Sequence, residues 1–264
     1  MNGLLQALGF EGAWLAKAIF ETNLLVLFAV CAGHSVWVHG WARTLREFSA
    51  GFALTALCES AGVLSGAYVY PGFRFYVLAT PVGNPASWVA LVYVIMHISD
   101  HLFFGPGGGG PRRALSGRSW PLTLLLLALC DATLGLMLDL VLDPLATIFN
   151  WWIWVPAEAG VHTIAEGVVQ PYNFERLSWM STPDNPLARF FAPFFEGGFR
   201  YPTRIFGIPL INFVAWLVFV FVFSLQFRWV ESRDWGHWRK TLVLWAVVLA
   251  DVPVLGFALI APNL

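Results

Sequence analysis

The sequence predicts an all-α fold: a polytopic membrane helix bundle of about six transmembrane helices, forming one integral membrane domain over residues 1–264. Two observations lead to this prediction. The 264 residues are 58% hydrophobic and only 12% charged, whereas soluble domains have about 25% charged residues. Apolar segments of about 20 residues, the length that crosses a bilayer, also recur along the chain. Lipid is therefore the expected solvent for most of the surface.

Six segments are predicted to span the membrane. Three of them are strongly apolar: Leu122–Leu142, Leu210–Phe227 and Thr241–Ile260. Three others contain embedded polar side chains, among them Glu21, Glu59, His97 and Asp100: Ala13–Val36, Phe48–Tyr70 and Pro85–Phe104. The fourth connection, about 155–205, is long, and its aromatic stretch PLARFFAPFF predicts a segment lying in the membrane interface.

Lysine and arginine near the span ends predict the orientation. The first, third and fifth connections together carry nine of them: Arg43, Arg46, Arg112, Arg113, Arg118, Arg228, Arg233, Arg239 and Lys240. The short second connection carries only Arg74. Both termini are therefore expected outside a cytoplasmic (inner) membrane, with the odd-numbered connections in the cytoplasm. A net charge of −1 gives no basic surface for nucleic acid.

Glu59 is a candidate catalytic residue because ionisable groups inside membrane helices are costly and are usually functional. It lies in the second predicted span, within ALCESAGVLSGAYVY. Gly62 and Gly66 follow at the spacing that allows another helix to approach closely, so Glu59 is expected to face the bundle interior. Removal from water favours the neutral carboxylic acid, which can act as a general acid.

Three aspartates lie within about 120° of one helix face, because each four-residue step drifts by about 40°. They are Asp131, Asp139 and Asp143. Asp143-Pro144 also has the pattern of an N-cap followed by proline at the first position of a new helix, which does not exclude a chemical role. Asp131 is interpreted as a residue that hydrogen-bonds across helices, and Asp251 as structural. Asp139 could pair with an arginine, but it is the acid whose burial is hardest to explain without a function.

Three patches of polar and aromatic residues follow one another along the chain. They are Glu59-x-x-Gly62-x-x-x-Gly66-x-Tyr68-x-Tyr70 with Trp88 beyond it, Asp139-Leu-x-Leu-Asp143-Pro144 with Trp152 and Trp154, and Phe206-Gly207-Ile208-Pro209-x-x-Asn212-Phe213-x-x-Trp216. In this pattern about half of the chain resembles the carotenoid biosynthesis membrane proteins of the bisanhydrobacterioruberin hydratase type, which include bacterial carotenoid 1,2-hydratases. In that family the second and third patches lie close together, whereas here about 50 residues separate them.

The resemblance implies an enzyme, a hydro-lyase that hydrates the terminal C1=C2 double bond of an acyclic carotenoid or similar long apolar isoprenoid taken from membrane lipid. This acid–base reaction needs no metal or redox cofactor. For this reaction our hypothesis is Glu59 or Asp139 as the acid, Asp143 as the group that orients water, and Asn212 as a polar tether. Aromatic side chains would line the substrate slot and stabilise a cation by about 0.5–2 kcal/mol each; these are Tyr68, Tyr70, Trp88, Trp152, Trp154 and Trp216.

Two alternatives belong to other functional classes. One is a metal-dependent membrane lipid or carotenoid oxidase, whose ligands would come from His34, His39, His97, Asp100, His101 and His162, with Glu166 four residues beyond the last. The other is a transporter or pigment-binding membrane subunit without enzymatic activity, in which the buried acids relay protons. The glycine-rich stretch near residue 107 is interpreted as a linker and not a dinucleotide site, because a membrane helix precedes it.

Overall fold

The all-α prediction is confirmed by the computed structural model, which describes residues 12–64, 68–70, 73–105, 120–148, 151–154, 204–205 and 208–260. Six helices make up nearly all of this part of the chain. They are α1 (Gly12–His39), α2 (Trp41–Leu64), α3 (Gly83–Phe104), α4 (Trp120–Ile148), α5 (Leu210–Ser232) and α6 (His237–Ile260). The predicted interfacial segment at about 155–205 lies almost wholly outside the described residues.

Four stretches of helix are long and apolar enough to cross a membrane. They are Lys17–His39, Gly83–Phe104, Trp120–Thr147 and Leu210–Ser232. The chain is therefore a polytopic membrane protein. The remaining two helices, α2 and α6, hold more polar side chains in their first turns, so the count of six spans and the orientation stay predictions.

Six two-residue strands form three antiparallel pairs among the described residues. Two pairs are local hairpins: β2 (Tyr76–Val77) with β3 (Thr80–Pro81), and β5 (Arg204–Ile205) with β6 (Ile208–Pro209). The third joins distant parts of the chain. It pairs β1 (Tyr68–Val69), which follows α2, with β4 (Ile153–Trp154), which follows α4.

The helices pack around an apolar core that includes the fully buried Leu54, Val89 and Val220. Helix α4 runs along α5, while α3 packs on α1 and α2, and α2 also contacts α6. Two glycines permit the closest approaches. A methyl group on Gly51 of α2 would lie 2.7 Å from Val89 Cγ2 of α3, and one on Gly135 of α4 would lie 3.0 Å from Val220 Cγ2 of α5. Small residues at such crossings let helix backbones meet in a membrane.

A buried charge network, the Arg228 network, ties α3, α4 and α5 together. The Arg228 guanidinium donates through Nε to Asp131 Oδ2 (3.0 Å) and through Nη2 to Ser99 Oγ (2.8 Å). Its Nη1 donates to Asp100, and Ser99 and Ser224 each donate to Asp131. The predicted cross-helix hydrogen bonding of Asp131 is thus confirmed. The assignment of Arg228 to the fifth connection is wrong, because α5 continues to Ser232.

A second ionic cluster joins α2, α5 and α6 at the end of the bundle where the odd-numbered connections lie. Arg46 Nε donates to Glu231 Oε1 (2.8 Å), and Lys240 Nζ donates to the Glu231 carbonyl oxygen (2.8 Å). Both cations are almost fully buried. Arg46 and Lys240 lie within helices and not in the connections to which they were assigned, and α2 begins at Trp41 and not at the predicted Phe48. Arginine and lysine are good helix formers, so the charged stretch before Phe48 continues the helix.

The second predicted span also ends earlier than expected. Helix α2 stops at Leu64, and Tyr68 and Tyr70 lie in extended chain beyond it. The reason is the pairing of β1 with β4, in which Tyr68 faces Trp154 and therefore leaves the helix. Strand β1 thus brings the Tyr68 side chain back to α2, where its hydroxyl reaches Glu59.

No new helix begins at Pro144, so the predicted N-cap role of Asp143 is wrong. Helix α4 continues through Pro144 to Ile148, and the Trp151 N–H then donates to the Ala146 carbonyl oxygen (2.8 Å). Proline removes one backbone donor and bends a helix, but one further turn can follow it. The Asp143 carboxyl group is consequently free of a capping role and is directed to a neighbouring helix.

Glu21, an acid embedded in α1, has a structural role. Its carboxylate accepts the backbone N–H groups of Phe75 (3.1 Å) and Arg74 (3.3 Å), and the side chain is only 3% exposed. These bonds fasten the β2–β3 hairpin to α1. They satisfy backbone donors that would otherwise be costly to bury.

Candidate functional site

Glu59 lies in the last two turns of α2 and is held by two tyrosine hydroxyls. Its Oε2 accepts from Tyr68 Oη (2.7 Å) and from Tyr70 Oη (2.5 Å). Asn84, in the first turn of α3, donates through Nδ2 to Tyr70 Oη (2.5 Å). Because the Asn84 amide nitrogen can only donate, the Tyr70 hydroxyl accepts that bond. Its own single proton is then the one that forms the hydrogen bond to Glu59. The side chains of α2, β1 and α3 thus meet at one carboxylate.

Gly62 makes room for the Tyr68 ring, and not for another helix as its spacing predicted. A methyl group on Gly62 would lie 2.7 Å from Tyr68 Cε1 and Cζ. Tyr68, which follows α2 in the sequence, is the group that lies against this glycine. Gly66, the second residue of the predicted motif, lies outside the described residues.

Replacing Gly62 by Ala is expected to displace Tyr68 from Glu59, because the ring and the new methyl group cannot occupy their positions together. Overpacking of this kind costs about 1–3 kcal/mol. The measurement is thermal unfolding of the detergent-solubilised protein. Gly33→Ala is the matched control, since Gly33 lies in α1 with nothing within 4 Å of an added methyl group. Equal melting temperatures for the two variants would contradict the proposed packing.

Asp139 and Asp143 lie one turn apart on α4 and share one amide donor. Asn212, in the first turn of α5, donates through Nδ2 to Asp139 Oδ2 (2.9 Å) and also to Asp143 Oδ2. Asp143 accepts a further hydrogen bond from the Trp152 side chain. Both carboxyl groups are buried, with 1% and 2% of each residue exposed. The predicted sharing of one helix face is confirmed for this pair.

The three candidate acids form one cluster. Tyr70 donates to Glu59, and its ring centroid lies 6.0 Å from that of Trp152, whose side chain donates to Asp143. Asp143 and Asp139 in turn share the Asn212 amide. Three carboxyl groups from two helices, two tyrosine hydroxyls and two amides therefore occupy one end of the bundle. We call this set the carboxyl cluster: Glu59, Tyr68, Tyr70, Asn84, Asp139, Asp143 and Asn212. Asp131 belongs instead to the Arg228 network, two helical turns away along α4.

Aromatic rings from the β1–β4 pair adjoin the carboxyl cluster. Tyr68 and Trp154 face each other across the two strands, with ring centroids 4.8 Å apart, and Tyr70 and Trp152 are 6.0 Å apart. Trp154 also belongs to an apolar cluster with Ile208 and Phe213, against which Leu136 of α4 packs. The strand pair therefore brings four of the predicted aromatic residues to the acids, although they are more than 80 residues apart in the sequence.

Trp88 and Trp216 are not in the carboxyl cluster. Their ring centroids lie 6.4 Å apart, and the Trp88 ring is 5.7 Å from that of Phe223 in the main apolar core. Each tryptophan lies one helical turn beyond an amide of the cluster, Trp88 after Asn84 and Trp216 after Asn212. They form an aromatic layer next to the polar groups and do not contact the acids in any described interaction.

Asn84 and Tyr76 were not predicted as members or supports of the site. Asn84 belongs to a Gly-Asn-Pro sequence that is typical of a turn, and the only available signal was an amide at the edge of an apolar span. Tyr76 Oη donates to the Tyr70 carbonyl oxygen (2.7 Å). Burial raises the pKa of Tyr76 far above its ordinary value, so its hydroxyl stays protonated and supports Tyr70.

The histidines of α1 and α3 form a separate aromatic group near the opposite end of these helices. His34 Nδ1 hydrogen-bonds with Tyr93 Oη (2.6 Å), and the His97 and His101 rings are 4.4 Å apart. Their predicted carboxylate partner Asp100 is bonded to Arg228 instead. Within the described residues, no three His, Cys, Asp or Glu side chains are grouped so as to hold a metal ion. His162 and Glu166 lie outside that part of the chain.

Compared with known proteins, the chain matches no family model, no curated protein and no solved structure. The resemblance to the carotenoid hydratases therefore stays a prediction that rests on the three sequence patches.

Proposed function

We propose that the protein is a membrane-embedded hydratase that adds water to the terminal C1=C2 double bond of an acyclic carotenoid or a similar apolar isoprenoid. The observation that supports this most strongly is the convergence of Glu59, Asp139 and Asp143 beside the rings of the β1–β4 pair. Buried acids next to an aromatic surface combine the two requirements of the reaction, which are a proton donor and surroundings that tolerate a carbocation.

The first step of the proposed reaction is proton transfer from Glu59 or Asp139 to C2. The π electrons form the new C2–H bond, and the positive charge is left on C1, a tertiary carbon. Neighbouring carboxylates and aromatic faces stabilise that charge. A positioned carboxylic acid contributes about 10²–10⁴-fold to such a proton transfer.

The second step is capture of the cation by water. Asp143 orients a water molecule, whose oxygen bonds to C1 while one of its protons passes to a carboxylate. The product is a tertiary alcohol, and the net change is the addition of one H and one OH. One carboxyl group has lost a proton and another has gained one, so transfer within the cluster restores the starting state without any oxidant or reductant.

The proposed location follows from the topology. The carboxyl cluster involves the C-terminal parts of α2 and α4 and the first turns of α3 and α5, the end of the bundle away from the Arg46–Glu231–Lys240 cluster. If the basic connections face the cytoplasm of the inner membrane, the reaction takes place in the outer half of the bilayer, with both termini outside.

Expression in cells that accumulate lycopene tests the proposed function. We expect a more polar pigment whose mass exceeds that of lycopene by one or two molecules of water. Growth in oxygen-18-labelled water should place the label in the new hydroxyl group. An unchanged pigment in membranes that contain the folded protein would overturn the proposal.

A further inference from the structure

The three carboxyl groups of the cluster differ in how many hydrogen-bond donors they receive. Glu59 Oε2 accepts two hydroxyl protons, from Tyr68 and from Tyr70. The direction of the second bond is set by Asn84, which donates to Tyr70 Oη at 2.5 Å. Bonds donated to a carboxylate favour its charged form. These two donors therefore stabilise the charged form of Glu59.

Asp143 also receives two hydrogen-bond donors, which come from other elements than those that reach Glu59. It accepts from the Asn212 amide and from the Trp152 side chain, which follows at the end of α4. These donors come from α5 and from the start of the β4 segment. Like Glu59, Asp143 therefore has two donors directed at it.

Asp139 is the exception. The donor described for it is Asn212, at 2.9 Å from Oδ2. Its second oxygen, Oδ1, is buried and has no hydrogen-bond partner among the described residues, and the whole residue is 1% exposed. A buried carboxylate oxygen without a donor carries the full cost of lost hydration. A proton on that oxygen removes most of this cost.

The mutual repulsion of the three groups adds to this difference. Three negative charges that repel one another in a low-dielectric interior are costly, and one neutral carboxyl group relieves the repulsion. The neutral one is the group that gains least from hydrogen-bond donors.

We infer that Asp139 carries the transferable proton of the cluster, on Oδ1, and that Glu59 and Asp143 are held as carboxylates by their donors. In the proposed function, on which this catalytic meaning rests, Asp139 gives its proton to C2 and Asp143 takes a proton from the attacking water. Glu59 keeps its charge and stabilises the cation at C1. The proton then returns from Asp143 to Asp139, its neighbour one helical turn away.

Infrared difference spectroscopy on the full chain, purified in detergent and without any carotenoid, tests this assignment. Spectra are taken of the wild-type protein and of Asp139→Asn, Glu59→Gln and Asp143→Asn, each in water and in heavy water. We expect the wild-type minus Asp139→Asn spectrum to contain a protonated carboxyl C=O band that shifts in heavy water. The Glu59→Gln and Asp143→Asn differences should contain carboxylate bands instead.

A protonated carboxyl band in the wild-type minus Glu59→Gln difference would overturn the inference. So would a wild-type minus Asp139→Asn difference that lacks this band although the variant is folded. Elution as a single species in size-exclusion chromatography establishes folding. If Asp139→Asn does not fold, Glu59→Gln and Asp143→Asn still test the inference. Both variants must keep the carboxylic acid band of the wild-type protein, and loss of the band from either one would overturn the inference.

The spectra need no substrate, so the inference and the proposed function can fail separately. If the infrared pattern is as expected but lycopene is unchanged, the proton assignment stands and the proposed hydratase function is wrong. Hydrated lycopene together with a neutral Glu59 would retain the hydratase and make Glu59 its acid.

Discussion

Asp139→Asn is expected to lower the rate of carotenoid hydration by about 10²–10⁴-fold, the contribution typical of a positioned general acid. The asparagine side chain has the same size and can present its carbonyl oxygen to Asn212, which donates to Asp139 at 2.9 Å in the wild-type protein. It has no acidic proton to give to C2. The loss should therefore be in the rate of the chemical step and not in folding.

The measurement is the initial rate at which membranes containing equal amounts of each protein convert an acyclic carotenoid to its alcohol. Asp251→Asn is the matched control, because it makes the same chemical change in another helix, α6. The Asp251 carboxylate accepts a hydrogen bond from Gln226 and does not belong to the carboxyl cluster. We expect this control to keep a hydration rate within about twofold of wild type, because Asp251 lies outside the proposed site.

A rate for Asp139→Asn that equals the control rate would remove Asp139 from the proton transfer. If Glu59→Gln then abolished conversion, the acid would be Glu59. If both variants hydrated the carotenoid at the wild-type rate, the acid–base mechanism proposed for this cluster would be wrong.

The helices could be predicted because lipid imposes a simple rule on the sequence. Each backbone polar group must find its partner within the segment, so a spanning segment is a helix of predictable length and composition. Leu122–Leu142 and Leu210–Phe227 were therefore located within a few residues of α4 and α5. The spacing of Asp139 and Asp143 likewise predicted one shared face, since helical periodicity is local.

The meeting of Glu59 with this aspartate pair could not be predicted from periodicity. It depends on how α2 packs relative to α4 and on the pairing of Tyr68 with Trp154. A two-residue strand has too short a pattern to specify its partner or its register. The sequence patches contain six of the seven residues of the carboxyl cluster but not Asn84, and they also include Trp88 and Trp216, which lie outside it. Only the packing of the helices brings the six together.

Asn84 and Arg228 illustrate the same physical limit, which is that a polar residue at the edge of an apolar run has two possible environments. Asn84 was not predicted as a site residue, although it donates to Tyr70. Arg228 was counted with a cytoplasmic connection, although it is 3% exposed and bonded to Asp131. Hydropathy cannot distinguish a charge at the interface from one that has found a buried partner in the next helix.

Arg228→Met is expected to cause the largest loss of stability of any single change outside the carboxyl cluster, about 3–5 kcal/mol in the free energy of unfolding. Methionine matches the length of the apolar stem but removes every donor of the guanidinium. Asp131 is 0% exposed and would lose its counter-charge, while Asp100 would lose the same partner. The cost comes from leaving a carboxylate unpaired in a low-dielectric interior, not from loss of a contact area.

The double variant Arg228→Met, Asp131→Leu separates that cause from simple disruption of packing. It removes both charges of the pair, so it is expected to be more stable than Arg228→Met alone, as is found when buried ion pairs are replaced by apolar groups. Reversible unfolding in mixed detergent micelles measures all variants, with Arg239→Met as the exposed-arginine control. Arg239 stacks on Trp235 with its guanidinium carbon 4.6 Å from the ring centroid, and its loss should cost well under 1 kcal/mol. A double variant less stable than Arg228→Met would mean that Asp131 contributes through Ser99 and Ser224 alone, and that the buried charge is not what requires Arg228.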